Sequence, residues 1–575
     1  MRAGGGRCGS GAAAPEEEEA DGPCAAAGAA PHAPQPPPAA RAGRRRRFGT
    51  GGRTRPGAAS AFGRSGGHRP PGDLPQPAVR SSVGGELALT LRAVPAVVDL
   101  RAPSPVTTLT YDGVVPGHTW EVNPGDTLRL LLVNDLPPLP HAGPPDLTRP
   151  HQWTATNLHT HGLHVSPAGN GDNVFLDIAP GARQRLEIPV PADHPGGIFW
   201  YHPHRHGAVT QQVRAGMAGM IVVRGEIDRV EEVRAAREQV LVLQAIELGA
   251  DFRLQDPIPD PTPEQAFFPR QQILYTVNGV LNPTLTMYPG EVQRWRILNA
   301  AEGKLMSLRL DGHDLHVLAW DGLTLPAPEG AELVLLSPGN RVEVLVKAGR
   351  PGSYGLGLAP GSSQKPDIPG MPDWMAPAST PPVVATATAT PAAAHPAGVP
   401  GMPVFPGELT PRPILRVEVA GSGPELSLPT ALPAWDPPIR PIARRRQVTY
   451  TVSRLADDTF LAFGVDGQSF DPNRAPYQVK LGTAEEWTVV NGPDHKLHEH
   501  AHVFHIHVNP FKITRINGRP LDRPLWRDTF VLTRSSGDSF TFETNFVDFT
   551  GTFVEHCHVL SHEDLGMMET IEVVP

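Results

Sequence analysis

"PGDTLRLLLVN", residues 124–134, reads as a strand: apolar and polar side chains alternate after Gly125, and the Gly marks the turn that launches the run. The stretch decides the fold because it recurs. "PGEVQRWRILN" (289–299) and "LGTAEEWTVVN" (481–491) repeat it, each with a Gly nine residues before an Asn: Gly125 and Asn134, Gly290 and Asn299, Gly482 and Asn491. A turn-bearing heptapeptide precedes every copy: "YDGVVPG" (111–117), "VNGVLNP" (277–283) and "VDGQSFD" (465–471). Copies 165 and 192 residues apart imply three related domains, not a solenoid of short repeats.

Around these copies lie further short strands, such as "GMIVVRG", "VEVLVKA" and "SFTFETN". With 67 Pro and 59 Gly in 575 residues, the chain has the turn content of stacked β-sandwiches. Only "RVEEVRAAREQ" (229–239) has helical character, and it reads as a linker. The expected domains are 84–228, 229–425 and 426–575, with a Pro/Ala/Thr-rich excursion at 360–412 inside the second. Residues 1–83 mix Gly, Ala, Pro and Arg with few aromatics, a composition that cannot bury enough surface to fold, so a disordered tail is expected. "RRRRF" (44–48) resembles a twin-arginine export signal, but no apolar core follows it.

The charge balance, 50 basic against 59 acidic residues, shows no basic face and argues against nucleic acid as a partner. No run of 18 apolar residues is present to span a membrane. Of three cysteines, Cys8 and Cys24 fall in the tail, which leaves Cys557 as the one thiol of the folded part and excludes a disulfide within it.

Histidines cluster four times: "HTHG" (159–162), "HPHRHG" (202–207), "HVFHIH" (502–507) and "HCHVLSH" (556–562). Residues two apart on a strand share a face. His159 and His161, His202 and His204, His505 and His507, and His556 and His558 therefore form four same-face pairs, enough for a multi-metal centre. By the same parity Cys557 points away from His556 and His558, and His502 away from His505 and His507. With His562 from the loop after the strand, these odd residues are two imidazoles and a thiolate. That set, with a thioether from Met567 or Met568, describes a blue-copper electron-transfer site. Zinc is the competing metal, but structural zinc usually takes more cysteines, and eight imidazoles exceed one tetrahedral site. His313, His316 and His395 of the second domain lack the paired spacing and read as structural.

Taken together, the four motifs closely resemble the multicopper oxidases, the laccases and bacterial cuprous oxidases among them, over residues 85 to 575. The resemblance implies three cupredoxin-like Greek-key β-sandwiches with a trinuclear copper cluster between the first and third. By motif position it assigns His502, Cys557 and His562 to a type 1 copper, with Met567 axial. It gives His159 and His505 to a type 2 copper, and His161, His202, His204, His507, His556 and His558 to a type 3 pair, four coppers per chain. One departure is Val503, which stands where the family commonly has Pro. His164, His206, His495, His498 and His500 are additional histidines outside the motif positions.

The reaction so implied takes single electrons from a small reducing substrate and reduces O2 to water. Its protons call for a carboxylate near the cluster, and Asp172 in "GNGDN" and Glu563 in "HE" are the candidates. Only ten Met are present, with Met371, Met375 and Met402 scattered through the excursion, so no Met-rich insert of the cuprous-oxidase kind is evident. The expected activity is therefore laccase-like, on phenols or aromatic amines, with metal-ion oxidation or a non-catalytic copper-binding scaffold as the alternatives. Family habit places such a protein in the periplasm or outside the cell. The oligomeric state is not legible.

Overall fold

A computed structural model describes residues 73–139, 147–249, 251–254, 272–358, 412–454, 461–492, 501–532 and 536–575. Six sheets among the described residues stack two by two around three apolar cores. In the first domain Leu128, Leu130 and Leu132 of one sheet meet Trp120, Phe199 and Ile221 of the other. The second is filled by Trp295, Ile297, Met287 and Leu415, and the third by Trp487, Phe504, Phe540 and Ile571. The all-β expectation of three cupredoxin-like sandwiches holds.

The sequence repeat is a structural repeat. Thr127–Asn134 runs parallel to Glu86–Val98 and antiparallel to Arg183–Pro189. Val292–Asn299 lies in the same way between Arg237–Leu248 and Arg341–Lys347, and Thr483–Asn491 between Ile442–Arg454 and Ser539–Phe546. The terminal Asn serves one purpose in at least two copies. Asn134 Nδ2 donates to the carbonyls of Thr154 and Ile178, and its Oδ1 accepts from Leu136 N–H. Asn299 repeats this with Lys304, Leu336 and Ala301. A buried amide thereby satisfies backbone groups of the loops that leave the strand. The heptapeptides form hairpin turns with two successive positive φ values: Asp112 and Gly113 at 54° and 79°, Asn278 and Gly279 at 52° and 74°, Asp466 and Gly467 at 51° and 76°. Asp-Gly and Asn-Gly are the dipeptides that tolerate this turn.

Three expectations need correction. The stretch 73–83, assigned to the tail, is ordered: Val79–Ser81 adds as a parallel strand to Thr119–Val122, and Asn278 Nδ2 donates to Pro75 O at 2.8 Å. Sheet addition recovers there what the composition lacks. The helical character of 229–239 ends early, because a short helix at Glu231–Ala235 gives way to the strand Arg237–Leu248, which buries Leu241, Leu243 and Ala245 in the second core and Val240 and Val242 against Ile198 and Trp200 of the first domain. His562 sits not in a loop but in a short helix, Leu560–Asp564. The expected boundary at 425 falls in the chain between the strands Arg412–Val419 and Ile442–Arg454. Residues 1–72, most of the excursion, and His395, His495, His498 and His500 lie outside the described residues.

A buried charge network joins the first two domains. Arg296, fully buried, donates to Glu343 Oε1 and to Asp228 Oδ1, both at 2.9 Å, and Arg294 reaches Glu343 Oε2 at 2.7 Å. Burial works to raise the Glu238 carboxyl, but Arg296, Arg224 and Arg294 hold it far below the usual range. Removing one partner of such a network strands the others. Arg296→Met should cost about 3–5 kcal/mol, read as a lower denaturation midpoint in urea, and an unchanged midpoint would show the network to be idle.

Candidate metal centre

The two outer domains present their histidines in the same register. His159–His161 pairs antiparallel with Gly197–His202 so that His159 faces His202, and His502–Ile506 pairs antiparallel with Gly551–Cys557 so that His505 faces His556. His204, His507 and His558 lie just past the ends of their strands. The two ladders meet face to face: the His159 ring stacks on His507 and the His161 ring on His505, each at 3.8 Å between centroids and 9° between planes. All eight side chains are buried.

Their nitrogens converge in groups. Nε2 of His204 lies 3.1 Å from Nε2 of His556 and 3.1 Å from that of His507, while the His507 and His556 atoms are 3.4 Å apart. Nitrogens bound to one ion at about 2.0–2.1 Å stand roughly 3.3 Å apart at tetrahedral angles, so this triangle has the size of a ligand set. Two further groups gather His161, His202 and His558, and His159, His161 and His505. Nε2 of His159, His202, His505 and His558 is buried with no hydrogen-bond partner among the described residues. On three of these rings the opposite nitrogen is engaged: His159 Nδ1 lies 2.9 Å from Asp172 Oδ2, His202 Nδ1 donates to Pro203 O and His505 Nδ1 to Asp528 O, both at 2.8 Å. Such outer bonds turn the free lone pair inward, as metal-ligating imidazoles require.

Burial also settles the charge of seven of the eight rings. It pulls His204 and His556 down to about 3. It depresses His161, His202, His505, His507 and His558 well below the ordinary value, helped by the neighbouring rings. These imidazoles are therefore neutral near pH 7 and able to ligate.

Cys557 faces the other way. Its Sγ lies 3.7 Å from His502 Nδ1 and 3.5 Å from His562 Nδ1, inside the third sandwich. The sulfur is fully buried, and burial pushes the thiol up to about 12, so a thiolate there needs a cation beside it. Met567 packs in the same core as Cys557, whereas Met568 packs with Val174, Phe470 and Val554. The parity argument therefore sorted the donors as the coordinates do: one Cys/His set, and imidazoles on either side of the Cys in two other sets.

Both candidate carboxylates reach the cluster. Asp172 also accepts from Thr160 N–H at 2.7 Å. Glu563 lies between the domains, with Oε2 3.0 Å from His556 Nδ1 and Oε1 3.4 Å from His204 Nδ1. Burial pushes its carboxyl up to about 7, against the pull of His204 and His159. Next to it Asp564 accepts from Gly207 N–H at 2.5 Å and Thr210 N–H at 2.9 Å, tying the helix that carries His562 to the first domain. The extra histidines have other partners: His164 bonds to Val508 O at 2.8 Å, and His206 to Leu147 O at 2.9 Å.

Sequence reasoning missed a contribution from the middle domain. Gly339, at φ +84°, comes so near that a Cβ there would stand 3.0 Å from both His161 Cε1 and His558 Nε2. Arg341 reaches Asp528, whose carbonyl holds His505. The one signal available was the charged pair Arg527 and Asp528 inside the apolar run "LWRDTFVL".

Three family profiles described as "Multicopper oxidase" match residues 151–227, 247–367 and 441–575. The chain belongs to the multicopper oxidase family. Members bind copper and use O2 with a reducing substrate. This multicopper oxidase is 23% identical over 508 residues to a laccase from Bacillus stratosphericus, covering 81% of this chain and 90% of that one. It is 29% identical over 350 residues to the cell division protein FtsP of Escherichia coli, covering 59% of this chain and 63% of that one. A solved structure of a metallo-oxidase from Campylobacter jejuni superposes with a TM-score of 0.66 at 23% identity, over 87% of this chain and 96% of that one, a likeness of fold.

Proposed function

We propose that this chain is a laccase-like oxidase, holding four coppers and coupling one-electron oxidation of phenols or aromatic amines to reduction of O2 to water. One observation carries the reading: Cys557 joins one donor set while His556 and His558, its neighbours in the chain, join two others at the face between the outer domains. The covalent backbone thus links two metal centres. Bound there, copper supplies one-electron transfer at the sulfur-ligated site and four-electron reduction of O2 at the cluster.

By this reading His502, Cys557 and His562 hold the type 1 ion with Met567 axial. His159 and His505 hold the type 2 ion. His161, His202 and His558, and His204, His507 and His556, hold the type 3 pair. The burial of the cluster excludes bulk water, and rings that are already neutral need release no proton before they ligate. Asp172 and Glu563 are the proton-relay residues of this reading: each buried carboxylate stands beside a ring of the cluster and can hold a proton close to it. No described helix is long and apolar enough to cross a membrane. Periplasmic or secreted placement follows family habit.

The laccase of Bacillus stratosphericus supports the organic donor, and the Campylobacter jejuni metallo-oxidase supports the second reading, a metal-ion oxidase. The complete set of ligand positions disfavours a copper-binding scaffold without catalysis, the reading that the FtsP relative raises. Side-by-side turnover of a phenolic donor and Cu(I) separates the first two: the proposal expects the phenol to be the better substrate, and faster Cu(I) oxidation overturns it. Replacing Met567 by Leu removes the thioether while keeping volume, and should raise the type 1 reduction potential, as measured by voltammetry. An unshifted potential would remove Met567 from the axial role.

A further inference from the structure

We propose that Arg341 of the middle domain is a positioning residue for the copper cluster: it clamps Asp528, and Asp528 sets which nitrogen of His161 and of His505 carries the proton. The inference rests on the copper reading above.

The hydrogen-bond inventory carries it. Arg341 donates Nη1–H to Asp528 Oδ1 at 2.8 Å and Nη2–H to Oδ2 at 2.6 Å, a bidentate pair between a fully buried guanidinium and a buried carboxylate. Its own orientation is fixed from two sides, since Nε donates to Ile198 O of the first domain at 3.1 Å and Nη2 to Asp321 O at 3.0 Å. Arg341 therefore touches all three domains.

Asp528 then speaks to two rings. Its backbone carbonyl lies 2.8 Å from His505 Nδ1, and a carbonyl can only accept, so Nδ1 carries the proton and Nε2 keeps the lone pair. Its carboxylate Oδ1 accepts the Thr529 hydroxyl proton at 2.9 Å. That hydroxyl has a single proton, so its 3.1 Å contact with His161 Nε2 must be filled by a proton from the ring. His161 is thereby the opposite tautomer, with its lone pair at Nδ1. That nitrogen is buried without a partner among the described residues, as is Nε2 of His505. Two stacked rings of one cluster thus need opposite proton placement, and one Arg–Asp pair provides both. Asn340, donating to Thr529 O at 3.0 Å, holds the same segment from the middle domain.

The test loads the purified full chain with copper by dialysis and compares Arg341→Lys and Thr529→Val with wild type. Lysine keeps the charge but loses the fork, and valine keeps the shape and the ion pair but loses the hydroxyl. Copper stoichiometry and the type 2 electron paramagnetic resonance signal read the cluster. The blue type 1 absorption, whose ligands His502, Cys557, His562 and Met567 all lie in the third domain, reads folding in the same sample. Arg296→Lys, in the buried network that joins the first two domains without touching a cluster histidine, serves as the control for plain structural damage. Both test variants should lose cluster affinity by about tenfold to a hundredfold and keep the blue band, the scale found when outer partners of ligating histidines are removed. Arg296→Lys should lower the melting temperature and leave copper uptake unchanged. Wild-type cluster affinity in both test variants, or equal loss at cluster and type 1 site, overturns the inference alone. A wild-type chain that takes up no copper overturns the copper reading, and this inference with it.

Discussion

Replacing Cys557 with serine is expected to abolish the blue absorption and drop turnover with every electron donor to background, while copper at the histidine cluster stays. Serine differs from cysteine by one atom, and Cys557 is a buried member of the third core, so the fold should lose no more than about 1–3 kcal/mol. The chemistry changes far more. Burial already pushes the Cys557 thiol up to about 12, and a serine hydroxyl gives up its proton less readily still, so no anionic ligand forms beside His502 and His562. The route from the donor through the backbone to His556 and His558 is then cut at its first atom. Metal analysis and an absorption spectrum of the purified variant check this. A variant that stays blue, or that still turns over, means the sulfur is not a ligand.

Glu563→Gln is expected to slow O2 reduction by about a hundredfold or more at unchanged copper content, the scale of losing a positioned proton donor. The glutamine amide fits the same space between His204 and His556 but cannot deliver a proton and return for another. Steady-state O2 uptake together with metal analysis separates the two ways of failing. Full activity across pH would show that Glu563 relays nothing. Loss of copper along with activity would show that it only orients the two rings.

Much of this site was legible because its logic is local. Alternation along a strand needs no tertiary knowledge, and it sorted Cys557 from His556 and His558, and His502 from His505 and His507. The sorting survives where the strands end: the pair His202 and His204 spans Pro203, whose ring keeps the preceding His202 out of the helical region. The Gly-to-Asn repeat was equally readable, since the turn at its start and the buried amide at its close are both set by a single residue type.

What escaped the sequence is what depends on distant partners. Arg341 looks like any strand residue in "SPGNRVEVLVKA", and only the packing of three domains brings it to Asp528. The order of 73–83 was hidden for the same reason, since Val79–Ser81 has no apolar face of its own and is held by the sheet it joins. The helix under His562 was missed because five residues carry too little periodicity to read. It is fixed by bonds across domains, Leu560 N–H to Glu302 O at 2.9 Å and Asp564 to the loop at Gly207.

Anomalous diffraction at the copper edge from a copper-loaded crystal addresses the central claim directly. The account predicts one peak bonded to Cys557 Sγ with His502 and His562, and a separate group of three peaks between the first and third sandwiches, shared out among the other eight histidines. A single ion bound by Cys557 together with His556 or His558, or no copper between the two sandwiches, would contradict it.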